Sequence, residues 1–186
     1  MNTLVSKEYK IAVLGSSNVG KSSLCLQFAR NQFPENYEPD VPDYYRKHIT
    51  LDGENTIVHI IDTAGQEKDI IEFISQAHGY LVVFDITRSN SLIEAEYYYQ
   101  LIRKTKNCLE IPLVLVGNKL DSNNFRQVSQ ENAQKIANQW KCKFYEVSAK
   151  NKINLDLVFI EGARLIRQEI TRTRSGEIAC CRCCVM

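Results

Sequence analysis

Residues 15–22 read GSSNVGKS. The pattern is G-x-x-x-x-G-K-[ST], which carries meaning only between a strand and a helix. Both neighbours are predicted: KIAVL at 10–14 is an apolar run of strand length, and SSLCLQFAR at 22–30 is read as a helix with Leu24, Leu26 and Phe28 on its apolar positions. In that setting Gly15 and Gly20 let the backbone of Ser16, Ser17, Asn18 and Val19 curl so that successive N–H groups face a phosphate. Lys21 adds a point charge, Ser22 offers a hydroxyl to Mg²⁺, and Ser23 follows at the helix N-terminus. A plain Gly-Ser turn before a helix is the bland alternative, and the flanking strand and helix weigh against it.

The 186 residues suit one domain with a full hydrophobic core, and 44% hydrophobic with 24% charged is an ordinary globular balance. A formal net charge of +1 excludes a strong overall pull toward nucleic acid. The first residues, MNTLVSKEYKIAVLG, hold no apolar core of signal-peptide length, and the later runs YLVVFDI and IPLVLVG are strand-sized, so a body facing the cytosol is expected. Of seven cysteines, four crowd the last seven positions, which is no disulfide framework.

Beyond the first helix, Tyr45–Leu51 and Thr56–Ile61 flank Asp52-Gly53, a strong hairpin signal. Leu81–Ile86, Leu113–Gly117 and Phe144–Val147 read as short buried strands, separated by amphipathic stretches near 91–106, 129–139 and 154–172. Strand alternating with helix implies an α/β fold, a mostly parallel sheet covered on both faces. The expected division is a nucleotide-binding domain over 1–172 and a flexible tail over 173–186.

Asp62 closes the strand TIVHII and fits a carboxylate that holds the phosphate-bound metal. In the following Thr63-Ala64-Gly65-Gln66, Gly65 can bring its N–H to a terminal phosphate and Gln66 can orient an attacking water, which implies phosphoanhydride hydrolysis. Asn118-Lys119-Leu120-Asp121 follows directly on IPLVLVG. The Asp121 carboxylate can accept from guanine N1–H and N2–H₂ together, whereas adenine N1 would face it as a second acceptor. Ser148-Ala149-Lys150, after the last strand, can supply a backbone N–H to guanine O6.

These four motifs in this order resemble the Ras superfamily of small GTPases, and YYRKHITLDG looks most like its Ras, Rap and Rheb branch. The resemblance covers nearly the whole chain. It implies a six-stranded sheet with five helices and a monomeric GDP/GTP switch with Mg²⁺ as cofactor. The implied catalytic residues are Gln66 and Lys21, and the implied partners are exchange factors, GTPase-activating proteins and effectors. It also implies that Phe33 lies edge-on against guanine and that Lys119 and Lys150 pack over the ring system.

The same resemblance exposes departures. Residues 31–47, NQFPENYEPDVPDYYRK, contain four carboxylates and no serine or threonine, and Asp40 stands where the family's first switch carries a metal-binding threonine. About 5 Å from a γ-phosphate charge a carboxylate repels by about 3 kcal/mol at an effective dielectric near 20, roughly a hundredfold against GTP relative to GDP. As a direct ligand of Mg²⁺ it would be attracted instead. The segment after Gln66, KDIIEFISQAHGYLVVF, is about three residues shorter than the family pattern, and Ser17 and Asn18 replace the glycines usual in the Ras branch. Slow hydrolysis is the expectation.

The last four residues, Cys183-Cys184-Val185-Met186, match C-a-a-X, with methionine favouring a farnesyl group on Cys183. One chain gives marginal membrane residence, so palmitoylation of Cys180 and Cys181 is expected to add to it, with Arg172, Arg174 and Arg182 helping on anionic lipid at the cytoplasmic face of the plasma membrane. Four cysteines within five residues cannot easily surround one zinc ion. Two readings stand: a slow GTP hydrolase, and a nucleotide-binding scaffold with little turnover. An ATP-dependent kinase would require discarding Asn118-Lys119-Leu120-Asp121.

Overall fold

The computed structural model describes residues 7–33, 43–63, 69–108 and 110–174. Strand β1 (Lys7–Leu14) divides its apolar residues between two cores, Ile11 and Val13 entering one and Ala12 and Leu14 the other. Successive side chains of a strand point to opposite faces, so a continuous apolar run must be covered on both sides. The other strands are β2 (Asp43–Leu51), β3 (Glu54–Asp62), β4 (Gly79–Asp85), β5 (Leu113–Asn118) and β6 (Lys143–Glu146), in the sheet order β2-β3-β1-β4-β5-β6. Among these strands only β2 and β3 pair antiparallel, through the Asp52-Gly53 turn. Every other neighbouring pair is parallel.

Helices α1 (Lys21–Arg30) and α5 (Leu155–Arg174) cover one face; α2 (Ile70–Gln76), α3 (Ser89–Lys106) and α4 (Gln130–Trp140) cover the other. The first layer is keyed by Phe28 of α1 stacked on Phe159 of α5, with ring centroids 4.0 Å apart and planes 7° from parallel. Both rings are buried, so truncating Phe28 to alanine is worth about 3–5 kcal/mol. In the second layer Tyr99 stacks on Trp140 at 4.3 Å, tying α3 to α4. No helix among the described residues is long and apolar enough to cross a membrane.

Two details differ from the sequence expectations. The buried face of α1 is Leu24, Cys25 and Phe28, whereas Leu26 is only partly buried, because a spacing of three and four positions, not two, returns to one side of a helix. The last strand runs over Lys143–Glu146 and is only half-buried, since β6 forms the sheet edge and has one strand neighbour.

Candidate functional site

The parallel strands β1, β3, β4 and β5 end at Leu14, Asp62, Asp85 and Asn118, and the segments that follow them form one edge of the sheet. In such sheets ligands bind outside the carboxyl ends of the strands. The phosphate loop lies there, between β1 and α1. Its first glycine, Gly15, has φ +147°, and a Cβ at that position would lie 2.2 Å from the Val83 carbonyl oxygen. Gly20, the N-cap of α1, has φ +91°, and a Cβ would lie 2.4 Å from Asn118 Nδ2. Both places therefore require glycine. Asn18 adopts φ +64°, a left-handed conformation that asparagine tolerates better than most residues.

Lys21 Nζ donates to the carbonyls of Gly15 at 2.9 Å and Ser16 at 3.0 Å, folding back over the loop. Burial holds its ammonium below the usual lysine range, and the nearby Asp62 carboxylate opposes that effect. These bonds use two of the three N–H donors of the ammonium, so a phosphate group could accept from the third. Ser22 and Asp62 are buried, and Thr63 Oγ1 donates to the Val13 carbonyl at 2.8 Å, which seats the end of β3 against β1. A hydroxyl and a carboxylate, both hard oxygen donors, suit Mg²⁺. The charge of Asp62 also reaches Cys25, whose thiol is pushed far up, first by burial and then by that carboxylate.

The base motif is joined to the loop through Asn118. Its Nδ2 donates to the Val19 carbonyl at 2.9 Å, and its Oδ1 accepts from the Ala149 N–H at 3.3 Å. One buried amide thus fastens the phosphate loop to the segment holding Ser148, Ala149 and Lys150. Ser148 Oγ donates to Asp121 Oδ1 at 2.5 Å and accepts from Asn151 N–H at 3.0 Å, so it orients the Asp121 carboxylate, which is exposed. Lys119 has φ +70°, and its ammonium lies 2.7 Å from Asp85 Oδ2. Phe33 is not a core residue, at 40% exposed, and Lys150 is exposed.

Asp40, Gly65, Gln66, Cys180, Cys181 and Cys183 lie outside the described residues. Two residues that sequence reasoning passed over do reach the site. Asp85 takes the Lys119 ion pair and accepts from Thr87 N–H at 2.9 Å and Thr87 Oγ1 at 2.7 Å. Burial works against its charge, but these donors outweigh it and hold the carboxyl below its usual range. Arg88 Nη2 donates to the Ser16 hydroxyl at 3.0 Å and to the Ser17 carbonyl at 2.7 Å. The available signal was position: DITR begins at the last residue of a strand that ends at the same edge as the phosphate loop.

Residues 10–168 match the model of the Ras family. The chain is 42% identical over 171 residues to the yeast (Saccharomyces cerevisiae) Ras-like protein 1, an alignment covering 90% of this chain and 55% of that protein. The chain thus spans about half the length of that relative. It is also 36% identical over 167 residues to the GTP-binding protein Rit2 of mouse and of rat, covering 88% of this chain and 77% of each relative.

Proposed function

Because the chain belongs to the Ras family, we propose that it is a small GTPase: a GDP/GTP switch that binds Mg-GTP and hydrolyses it slowly to GDP and phosphate. The observation that carries this reading is the double hydrogen bond of Asn118, to Val19 and from Ala149, which joins a phosphate loop to a guanine-type base motif. The similarity to Rit2, a GTP-binding protein, accords with it.

In this reading the backbone N–H groups of residues 15–20 bind the phosphates, and Lys21, held over the loop by the Gly15 and Ser16 carbonyls, adds its charge to them. Ser22 and Asp62 would hold Mg²⁺, with Asp40 as a further candidate ligand, and the chemistry the ion would supply when bound is neutralisation of phosphate charge. Asp121, oriented by Ser148, accepts the paired donors of guanine, and Lys119 and Lys150 cover the ring with Phe33 at its edge. Gln66 orients the water and the Gly65 N–H meets the terminal phosphate. The GTPase domain is taken as 1–172, with 173–186 as a lipid-bearing tail. Farnesyl on Cys183 and palmitoyl on Cys180 and Cys181 would hold a monomer at the cytoplasmic face of the plasma membrane, where exchange factors, GTPase-activating proteins and effectors meet it.

A second reading, a nucleotide-binding scaffold with little turnover, is favoured by Asp40 and by the brevity of α2, whose seven residues form only two turns. Single-turnover hydrolysis of bound GTP separates the two. A measurable rate that Gln66→Leu abolishes supports the hydrolase; a flat trace with GTP retained supports the scaffold. Failure to retain either guanine nucleotide overturns both.

A further inference from the structure

A loop that aims its N–H groups inward at a phosphate aims its carbonyls outward, and outward carbonyls in a packed setting need donors. Four of these carbonyls take side-chain donors: Gly15 and Ser16 take Lys21, Val19 takes Asn118, and Ser17 takes Arg88. Lys21 is the one of these donors that also serves the phosphate site. Apart from it, fastening of the loop falls to Asn118 at the Val19 end and to Arg88 at the Ser16–Ser17 end.

Arg88 is well placed for this task. Its backbone N–H donates to the Asp85 carbonyl at 3.0 Å, and its own carbonyl accepts from Ser91 Oγ at 2.6 Å and Ser91 N–H at 3.1 Å. The turn between β4 and α3 is thus pinned on both sides of the residue. Its guanidinium has Glu94 at 3.8 Å on the outer side, while the buried Nε has no hydrogen-bond partner among the described residues. The group is oriented by what Nη2 grips, and a charged donor on a neutral carbonyl makes a stronger bond than a neutral one.

We propose that Arg88 is a positioning residue for the nucleotide: it clamps the outer turn of the phosphate loop to the β4–α3 turn and thereby limits the rate at which bound nucleotide leaves. The inference rests on the reading of residues 15–22 as a guanine-nucleotide loop.

The test is release of a fluorescent GDP from the full chain at fixed Mg²⁺, chased with unlabelled GDP. Arg88→Met, which keeps the apolar stem and removes the donors, is expected to speed release about tenfold, the scale of one charge-assisted hydrogen bond. Amide exchange is expected to rise at residues 15–20 and stay unchanged in β4 and β5. Arg88→Lys keeps the charge on a stem one bond shorter, which draws the donor nitrogen back from the Ser16 hydroxyl and the Ser17 carbonyl that Nη2 alone reaches, and is expected to speed release at least threefold. It serves as the readout if Arg88→Met does not fold. Release within twofold of wild type from the folded variant overturns the proposal, as does increased exchange throughout β4 and α3, which marks a general structural role. Wild-type protein that fails to retain GDP instead overturns the nucleotide reading.

Discussion

The ammonium of Lys119 lies 2.7 Å from the carboxylate of Asp85, 34 positions earlier in the chain and at the end of the adjacent strand β4. Asp85 is buried, and it also receives both Thr87 donors, so a single carboxylate shapes the β4–α3 turn and holds the lysine expected to cover the base. Asp85→Asn keeps an acceptor for Thr87 but removes the charge that steadies Lys119. Guanine nucleotide affinity is expected to fall about three- to tenfold, the range of one charge-assisted contact at a partly exposed site. Titration calorimetry with GDP checks it, and an unchanged affinity would show that Lys119 needs no such anchor.

Asn118→Ala is expected to be more severe. It leaves the Val19 carbonyl and the Ala149 N–H without their donor and acceptor, and each buried orphan costs about 1–3 kcal/mol. Nucleotide affinity should drop by roughly a hundredfold or more, because the two halves of the site lose their common link. Equilibrium competition against a fluorescent GDP measures the drop. A loss below about fivefold would mean that the two segments hold their places independently.

A pH response is expected from His78. Its Nδ1 accepts from the Lys10 N–H at 3.2 Å, and its own N–H donates to the Lys10 carbonyl at 2.8 Å. Burial, followed by the charges of Lys10 and Lys106, holds the imidazole below its ordinary value of 6.5. Protonating Nδ1 would end the bond from Lys10. A folded pKa below the unfolded one means that the unfolded chain binds the proton first, so stability is fully present above pH 6.5 and falls as pH drops toward the folded pKa. Thermal melts of wild type and His78→Asn across this range are the check. The variant should show a flatter acid limb, and identical pH profiles would remove His78 from the account.

Asp40→Thr puts a hydroxyl in place of the carboxylate at the position that the resemblance to small GTPases aligns with a metal-binding threonine. If the carboxylate repels the terminal phosphate, the substitution raises affinity for GTP relative to GDP by about a hundredfold. If Asp40 ligates Mg²⁺, the change lowers Mg²⁺ affinity instead. Measuring both nucleotides across a Mg²⁺ titration distinguishes the two signs, and no change in either ratio would show that Asp40 stands clear of the site.

What could be read from residues alone was whatever depends on neighbours in the chain. Apolar runs marked the strands, Asp52-Gly53 marked the hairpin, and the loop at 15–22 was recognisable because glycine spacing, lysine and hydroxyl are all local requirements. The half-exposed β6 was misjudged because burial depends on which elements pack against a segment, and that is not written within it, whereas the lesser burial of Leu26 on α1 follows from helix periodicity and was legible. Only the folded chain revealed that Asn118 reaches Val19 across 99 positions and that Arg88 reaches Ser16 across 72. Sheet order brings the ends of β1, β4 and β5 side by side, and hydrogen bonds act only over about 3 Å, so such partnerships exist in space before they have any meaning in sequence.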